Sequence, residues 1–371
     1  MPLKLTYIIS DIDKALAFEW IAAHLDKQRF ELSFVLLNPG DSALERFLRE
    51  HGIPVTRIRC RGKKDWPLAW WQLCRLLKRT KPDVVHCHLL QANILGLSAA
   101  KLAGVKKRIY TRHHSSLHHV YHPKGVFWDK RANRQATHIV AISAAVRNIL
   151  TGWEKAPAAK ITTIPHGFLL DIFHEVPQER VDAFKHKYRI SDAAPVVGVI
   201  SRFTAWKGIQ YTIPAFKQLL EQYPDAVLLL LNASGDYAAE IHAQLAGLPE
   251  NSYRAITFEQ DVAAAMHAMN VFVHVPVDEH SEAFGQIYVE ALAAGVPSVF
   301  TLSGIAPDFI ENGKNALVVP FKDSDAIFAA MCKILSDQNL RESLKAGGWN
   351  SVKEKFALHQ MIKQLEALYV A

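Results

Sequence analysis

Short apolar runs alternate with helical patterns along this chain, and the alternation starts afresh past the midpoint. LTYIIS leads into a helical pattern over 15–27 and LSFVLLN into one over 42–51. VVHCHL leads into 92–102, RIYTRH follows, HIVAIS leads into 144–150, and ITTIPHG closes the series. Strand, helix, strand at this spacing means βαβ units and a parallel sheet covered on both faces. After a polar stretch around 177–191 come VVGVISR, a helix over 208–223, VLLLLN, a helix from Tyr237, AITFE, VFVHVPV, a helix over 285–294, SVFTL and ALVVP. The pattern predicts two doubly wound, Rossmann-like α/β domains, residues 1–178 and 179–355, with a linker near 172–190. An amphipathic C-terminal helix within 356–371 can pack on either domain, crossing back to the first if it joins that one. A length of 371 residues agrees, being too long for one ordinary core and about right for two.

Two such domains facing each other across a cleft offer two ligand surfaces, because open α/β sheets bind ligands beyond the carboxyl ends of their strands. Composition narrows the class. Half the residues are apolar and no low-complexity tract appears, so the chain is folded and globular. No apolar run reaches the roughly 18 residues of a membrane span, and the first residues do not read as a secretory signal, so a cytoplasmic location is expected. Cys60, Cys74, Cys87 and Cys332 show no CxxC spacing and read as reduced thiols. Charge is unevenly divided. Residues 1–178 hold 27 Lys and Arg against 14 Asp and Glu, while 179–371 hold 16 against 22. The excess sits in 51–150, where 19 basic side chains meet 3 acidic ones, so that face suits an anionic surface or substrate.

The sharpest constellation is HSEAFGQIYVEALAAGVPSV, residues 280–299. Ala283, Phe284 and Gly285 offer backbone N–H groups at the opening of a helix, a terminus suited to phosphate. Glu282 stands just before the helix, placed to accept hydrogen bonds from sugar hydroxyls. Glu290, two turns along, is placed for ribose hydroxyls. The plainer alternative makes both ordinary helix carboxylates, but the glycine stop and buried strand that follow put the site at a sheet end. In VVGVISRFTAWKGIQ, Arg202 and Lys207 flank a turn between strand and helix, a pair suited to a diphosphate. A solvated basic loop is the alternative.

Together these residues resemble the retaining family 4 glycosyltransferases of GT-B fold: R-x4-K-G after a strand, then about 75 residues later E-x7-E with A-G-x-P beyond. The resemblance implies that Arg202 and Lys207 hold the donor diphosphate, Glu290 the ribose and Glu282 the transferred sugar. It also implies a metal-independent reaction with no cofactor, the nucleotide-sugar being a co-substrate. PDVVHCHLLQAN, RIYTRHHSS and ITTIPHGF resemble first-half segments of the same family and put His113 where it has a histidine facing the donor sugar. His86 and His88 read better as a buried strand pair with satisfied nitrogens. Histidines 86, 88, 113, 114, 118, 119 and 122 raise a metal site, but no Cys pair or HExxH accompanies them, and no metal is expected.

The expected activity is therefore hexosyl transfer from a nucleoside-diphosphate sugar, UDP first and GDP second, to a glycan or lipid-linked glycan in cell-surface polysaccharide or glycolipid synthesis. Rivals are a GT-B sugar-nucleotide epimerase and an inactive membrane-associated partner of another transferase. A nicotinamide dehydrogenase wants GxGxxG after the first strand, which is absent. The first loop, with Asp11, Asp13 and Lys14, departs from the family's glycine-rich form. Residues 60–83 mix Trp66, Trp70 and Trp71 with Lys63, Lys64, Arg75, Lys78, Arg79 and Lys81, a composition that suits peripheral contact with an anionic membrane; a surface helix whose tryptophans enter the core is the alternative. No recognised nucleic-acid module is present, and no nucleic-acid partner is expected.

Overall fold

A computed structural model describes Met1–Ala371 and divides the chain into two compact units. One comprises Met1–Phe168 with Leu358–Ala371; the other is Leu169–Ala357. The first holds strands β1 (Leu3–Ser10), β2 (Phe30–Asn38), β3 (Val55–Arg59), β4 (Val84–His88), β5 (Lys107–Arg112), β6 (His138–Ala141) and β7 (Ile161–Thr163). They form one parallel sheet in the order β3-β2-β1-β4-β5-β6-β7. The second holds β8 (Val196–Ile200), β9 (Val227–Leu231), β10 (Tyr253–Ile256), β11 (Val271–His274), β12 (Ser298–Phe300) and β13 (Leu317–Val318). Their order is β10-β9-β8-β11-β12-β13, again all parallel.

Counted from its own first strand, each sheet runs 3-2-1-4-5-6, the order of Rossmann-like folds, and the first adds a seventh strand at its edge. The strand order reverses between β1 and β4 in one unit and between β8 and β11 in the other. A crevice opens outside the carboxyl ends of such strands. Central strands are continuous apolar runs where helices cover both faces: β9 is VLLLL and wholly buried. In the second unit Val197, Val199, Leu228, Leu230 and Val273 pack against Phe216 and Leu219 of the helix Ile209–Gln222.

Some elements differ from the periodicity. β3 reads VTRIR and buries only one side chain fully, since it lies at the sheet edge; its polar alternation hides it among loops. The polar stretch read as linker carries the helix Gln178–Lys187, tied to the second unit by Arg180 on Asp261 and Lys187 on Glu259. The C-terminal helix Leu358–Val370 belongs to the first unit. There the Tyr369 hydroxyl lies 2.5 Å from that of Tyr7 and 2.8 Å from His86 Nδ1. All four cysteines are free thiols. No helix is long and apolar enough to cross a membrane.

Candidate functional site

The second sheet's switch point is built from the two loops singled out in the sequence. Gly208, at φ +77°, ends the turn that carries Arg202 and Lys207 and begins the helix Ile209–Gln222. A Cβ there would lie 1.8 Å from the Val275 carbonyl oxygen, so only glycine lets this turn approach the segment following β11 so closely. The Val277 N–H donates to the Trp206 carbonyl at 3.1 Å and locks the two loops together. As a result the Lys207 ammonium pairs with the Glu282 carboxylate, 75 residues on, and lies 4.4 Å over the Trp206 ring.

Glu282 is buried and held on several sides. Its Oε1 accepts from His274 Nε2 at 3.1 Å, and its own N–H donates to Ser303 Oγ at 3.1 Å. Burial alone would push this carboxyl up, but the His274 hydrogen bond and the Lys207 charge outweigh it and hold it at about 2. Burial keeps His274 below its ordinary value, so a neutral ring donates Nε2–H to an ionised carboxylate. Sequence reasoning missed His274 and Ser303. The signal for the first was a histidine closing the apolar strand VFVH; for the second there was none.

Gly285, at φ +82°, caps the helix Gln286–Ala293, after Ala283 and the buried Phe284. Glu290, about one turn along that helix, is half-buried, and burial pushes its carboxyl up to about 7. Arg202 is exposed and makes no ion pair. Lys207 and Glu282 are therefore in contact, while Arg202 and Glu290 stand apart from that pair.

In the first unit, histidines gather at the ends of β4 and β5. His86 is the satisfied core residue expected, with Nδ1 on the Tyr369 hydroxyl and Nε2 on Thr111 Oγ1, both at 2.8 Å. His88 differs. Its ring stacks on Tyr7, its Nδ1 meets His113 Nε2 at 3.0 Å, and its Nε2 is buried without a partner. His113 stacks in turn on His166, with centroids 5.6 Å apart. Burial lowers His86 to about 3 and His166 to about 4, and holds His88 and His113 well below the ordinary range. These rings are neutral at physiological pH. The atypical first loop serves local structure: Asp13 Oδ1 accepts from Ala43 N–H at 2.9 Å, and Asn38 holds both backbone groups of Ile12.

One expectation is overturned. No metal was expected, yet His114, His118 and Asp129 place one ligand atom each within 4.8 Å of one another. The reason it escaped is topological: the carboxylate comes from the separate helix Gly125–Gln135, which folds back over the end of β5. Residues 60–83 form the helix Trp66–Thr80, in which Trp70 donates to Ser98 Oγ and Trp66 packs edge-on against Trp128, while Leu68 and Trp71 are exposed.

Comparison with known proteins follows the same division. Residues 181–350 match the family model described as Glycosyl transferases group 1, and residues 20–171 match that described as Glycosyltransferase Family 4. The chain belongs to these GT-B glycosyltransferases. The capsular polysaccharide biosynthesis glycosyltransferase CapM of Staphylococcus aureus is 28% identical over 310 residues, spanning 79% of this chain and 78% of the relative. A GDP-mannose-dependent phosphatidylinositol monomannoside mannosyltransferase of Mycolicibacterium smegmatis is 29% identical over 201 residues, and there the match spans 51% of the relative. Among solved structures, Anabaena HepE in complex with UDP and glucose superposes with a TM-score of 0.85 at 20% identity, covering 100% of both chains. That likeness concerns the GT-B fold.

Proposed function

We propose that this GT-B glycosyltransferase moves a sugar, with retention, from a nucleoside-diphosphate sugar to a glycan or lipid-linked glycan during cell-surface polysaccharide or glycolipid synthesis. The observation carrying this reading is the Lys207–Glu282–His274 chain at the switch point of the second sheet. It sets a cation fit for a diphosphate beside an ionised carboxylate fit for sugar hydroxyls, where an open α/β sheet takes its ligand. The matched relatives, which act in capsule synthesis and on phosphatidylinositol mannoside, support the acceptor class.

Each residue has a part. Lys207 exchanges its contact with Glu282 for the donor phosphates, and Arg202, unpaired in the free protein, forks onto them. The N–H groups around Ala283, Phe284 and Gly285 complete the phosphate cradle. Glu282, fixed by His274 and Ser303, accepts from hydroxyls of the transferred sugar, and Glu290 accepts from the ribose. In the first unit, neutral His113, oriented by His88, hydrogen-bonds a sugar hydroxyl. The bond from the anomeric carbon to the diphosphate breaks as the bond to the acceptor oxygen forms on the same face. The departing phosphate takes the acceptor's proton, and the cations stabilise its developing charge. The exposed Leu68 and Trp71 beside basic residues fit peripheral contact with an anionic membrane carrying the acceptor.

The test is a nucleotide-sugar panel, UDP-sugars first and GDP-sugars second. One class raises the melting temperature of the wild-type protein and is turned over with a glycan or lipid-linked acceptor. Glu282→Ala keeps its circular dichroism and loses transfer by at least about 100-fold. Full activity in that variant removes the site assignment, and a wild-type protein blind to every nucleotide-sugar removes the reading.

A further inference from the structure

The end of β5 leads into five histidines within ten residues, of which only His113 has a part in the proposed transfer. The others surround a buried ionic group. The Arg112 guanidinium pairs with Asp129 at 2.9 Å and also with Glu154, and all three side chains are almost fully buried. Glu154 further accepts from Asn133 Nδ2 at 2.7 Å and lies 3.3 Å from His119 Nε2. One guanidinium thus faces two carboxylates, a deficit of one positive charge in a place where unbalanced charge is costly.

The deficit falls beside His114 and His118. His118 Nδ1 lies 2.7 Å from Asp129 Oδ2. His114 is the loosest member: its Nε2 is 3.4 Å from Asp129 Oδ1, long for a hydrogen bond, and its Nδ1 is buried without a partner. The two imidazoles lie 4.2 Å apart, centroid to centroid. Ligand atoms about 2.0–2.1 Å from a tetrahedral zinc stand roughly 3.3 Å from one another, close to the His114 separation. A carboxylate has about four lone-pair sites: Arg112 takes one on each Asp129 oxygen, at 2.9 and 3.0 Å, and those now facing His114 and His118 can turn to a cation held between them.

We propose that His114, His118 and Asp129 bind a divalent transition cation of the zinc and cobalt class, with Arg112 as the outer partner that orients the ligating carboxylate. Three protein ligands leave a fourth position for water. With a metal-bound hydroxide there, the buried group sums to neutral. The cation clamps the helix Gly125–Gln135 and the turn Leu117–Val120 to the end of β5, next to His113, and so acts as a structural staple. Side-chain exposure of 22% at His114 leaves a route from solvent.

Untagged full-length protein, stripped with EDTA and titrated with Co(II), develops the visible bands of a tetrahedral site, saturating at about one equivalent per chain and bleached by Zn(II). Zinc raises its melting temperature. His114→Gln, at the partly exposed ligand, keeps the melting temperature of the stripped protein and binds Co(II) at least about 100-fold more weakly. Two results overturn the proposal: wild-type protein that develops no bands and gains no stability from zinc, or His114→Gln that binds Co(II) as tightly as wild type. The first needs no variant, so misfolding of His114→Gln does not shield the idea.

Discussion

Glu282 and Glu290 lie eight residues apart, and their surroundings shift the two carboxyls in opposite directions. Glu282, held at about 2 by His274 and Lys207 against its burial, lends stability that is complete above its unfolded value and is lost as pH falls through 2. Glu290, pushed up to about 7, lends stability that is complete below its unfolded value and is lost as pH rises through 7. Urea unfolding at pH 5 and at pH 8 should therefore differ less in Glu290→Gln than in wild type, by on the order of 1–2 kcal/mol after allowing for partial exposure. A ribose diol that donates to Glu290 favours its ionised form, so donor binding should release a proton and tighten between pH 6 and pH 8. Calorimetry in two buffers of different ionisation enthalpy reads that proton, and Glu290→Gln should abolish it. The paired strand histidines should also separate. His86→Leu strands the buried Thr111 and Tyr369 hydroxyls and should cost about 1–3 kcal/mol with activity per folded molecule largely kept. His88→Leu should lower turnover through His113 at little cost in stability. At this scale the sequence showed residues whose type and spacing announce chemistry, such as Lys207 and Glu282. It hid those defined by contact, such as His274, Ser303 and the Asp129 cluster, because their partners arrive from separate elements.

Loops, more than helices, position the candidate site. Gly304, at φ +64°, lies under Glu282: a Cβ there would come 2.7 Å from the Glu282 Cβ and 2.7 Å from the Phe284 carbonyl oxygen. Gly304→Ala should cost about 1–2 kcal/mol for the left-handed backbone. It should also lower transfer more than it lowers stability, since the loop that moves is the one holding Glu282; thermal melts beside donor turnover separate the two effects. Strands and helices were legible where burial made apolar runs, as in β8, β9, β11 and β12 of the second sheet. β3 was not, because an edge strand with Arg57 and Arg59 facing outward has no apolar run to read. The helix Gln178–Lys187 was likewise hidden by its polar face, though Val181 and Phe184 anchor it.

On the whole-molecule scale, charge and connectivity matter most. The positive balance of residues 1–178 predicts binding to vesicles of anionic lipid that weakens as salt rises, and Trp71→Ser should reduce it; equal binding to neutral vesicles at high salt would remove the electrostatic account. Two domains were legible because the strand and helix rhythm restarts. Periodicity left open which of them takes the helix Leu358–Val370, since both have apolar surface to offer. Its membership in the first unit has a consequence for biosynthesis. A ribosome releases the amino-terminal part of a chain first, and domains ordinarily fold in that order. Here the second unit is continuous in sequence, whereas the first lacks Tyr369, and with it the partner of Tyr7 and His86, until synthesis reaches residue 369. The half of the protein made first is the half completed last.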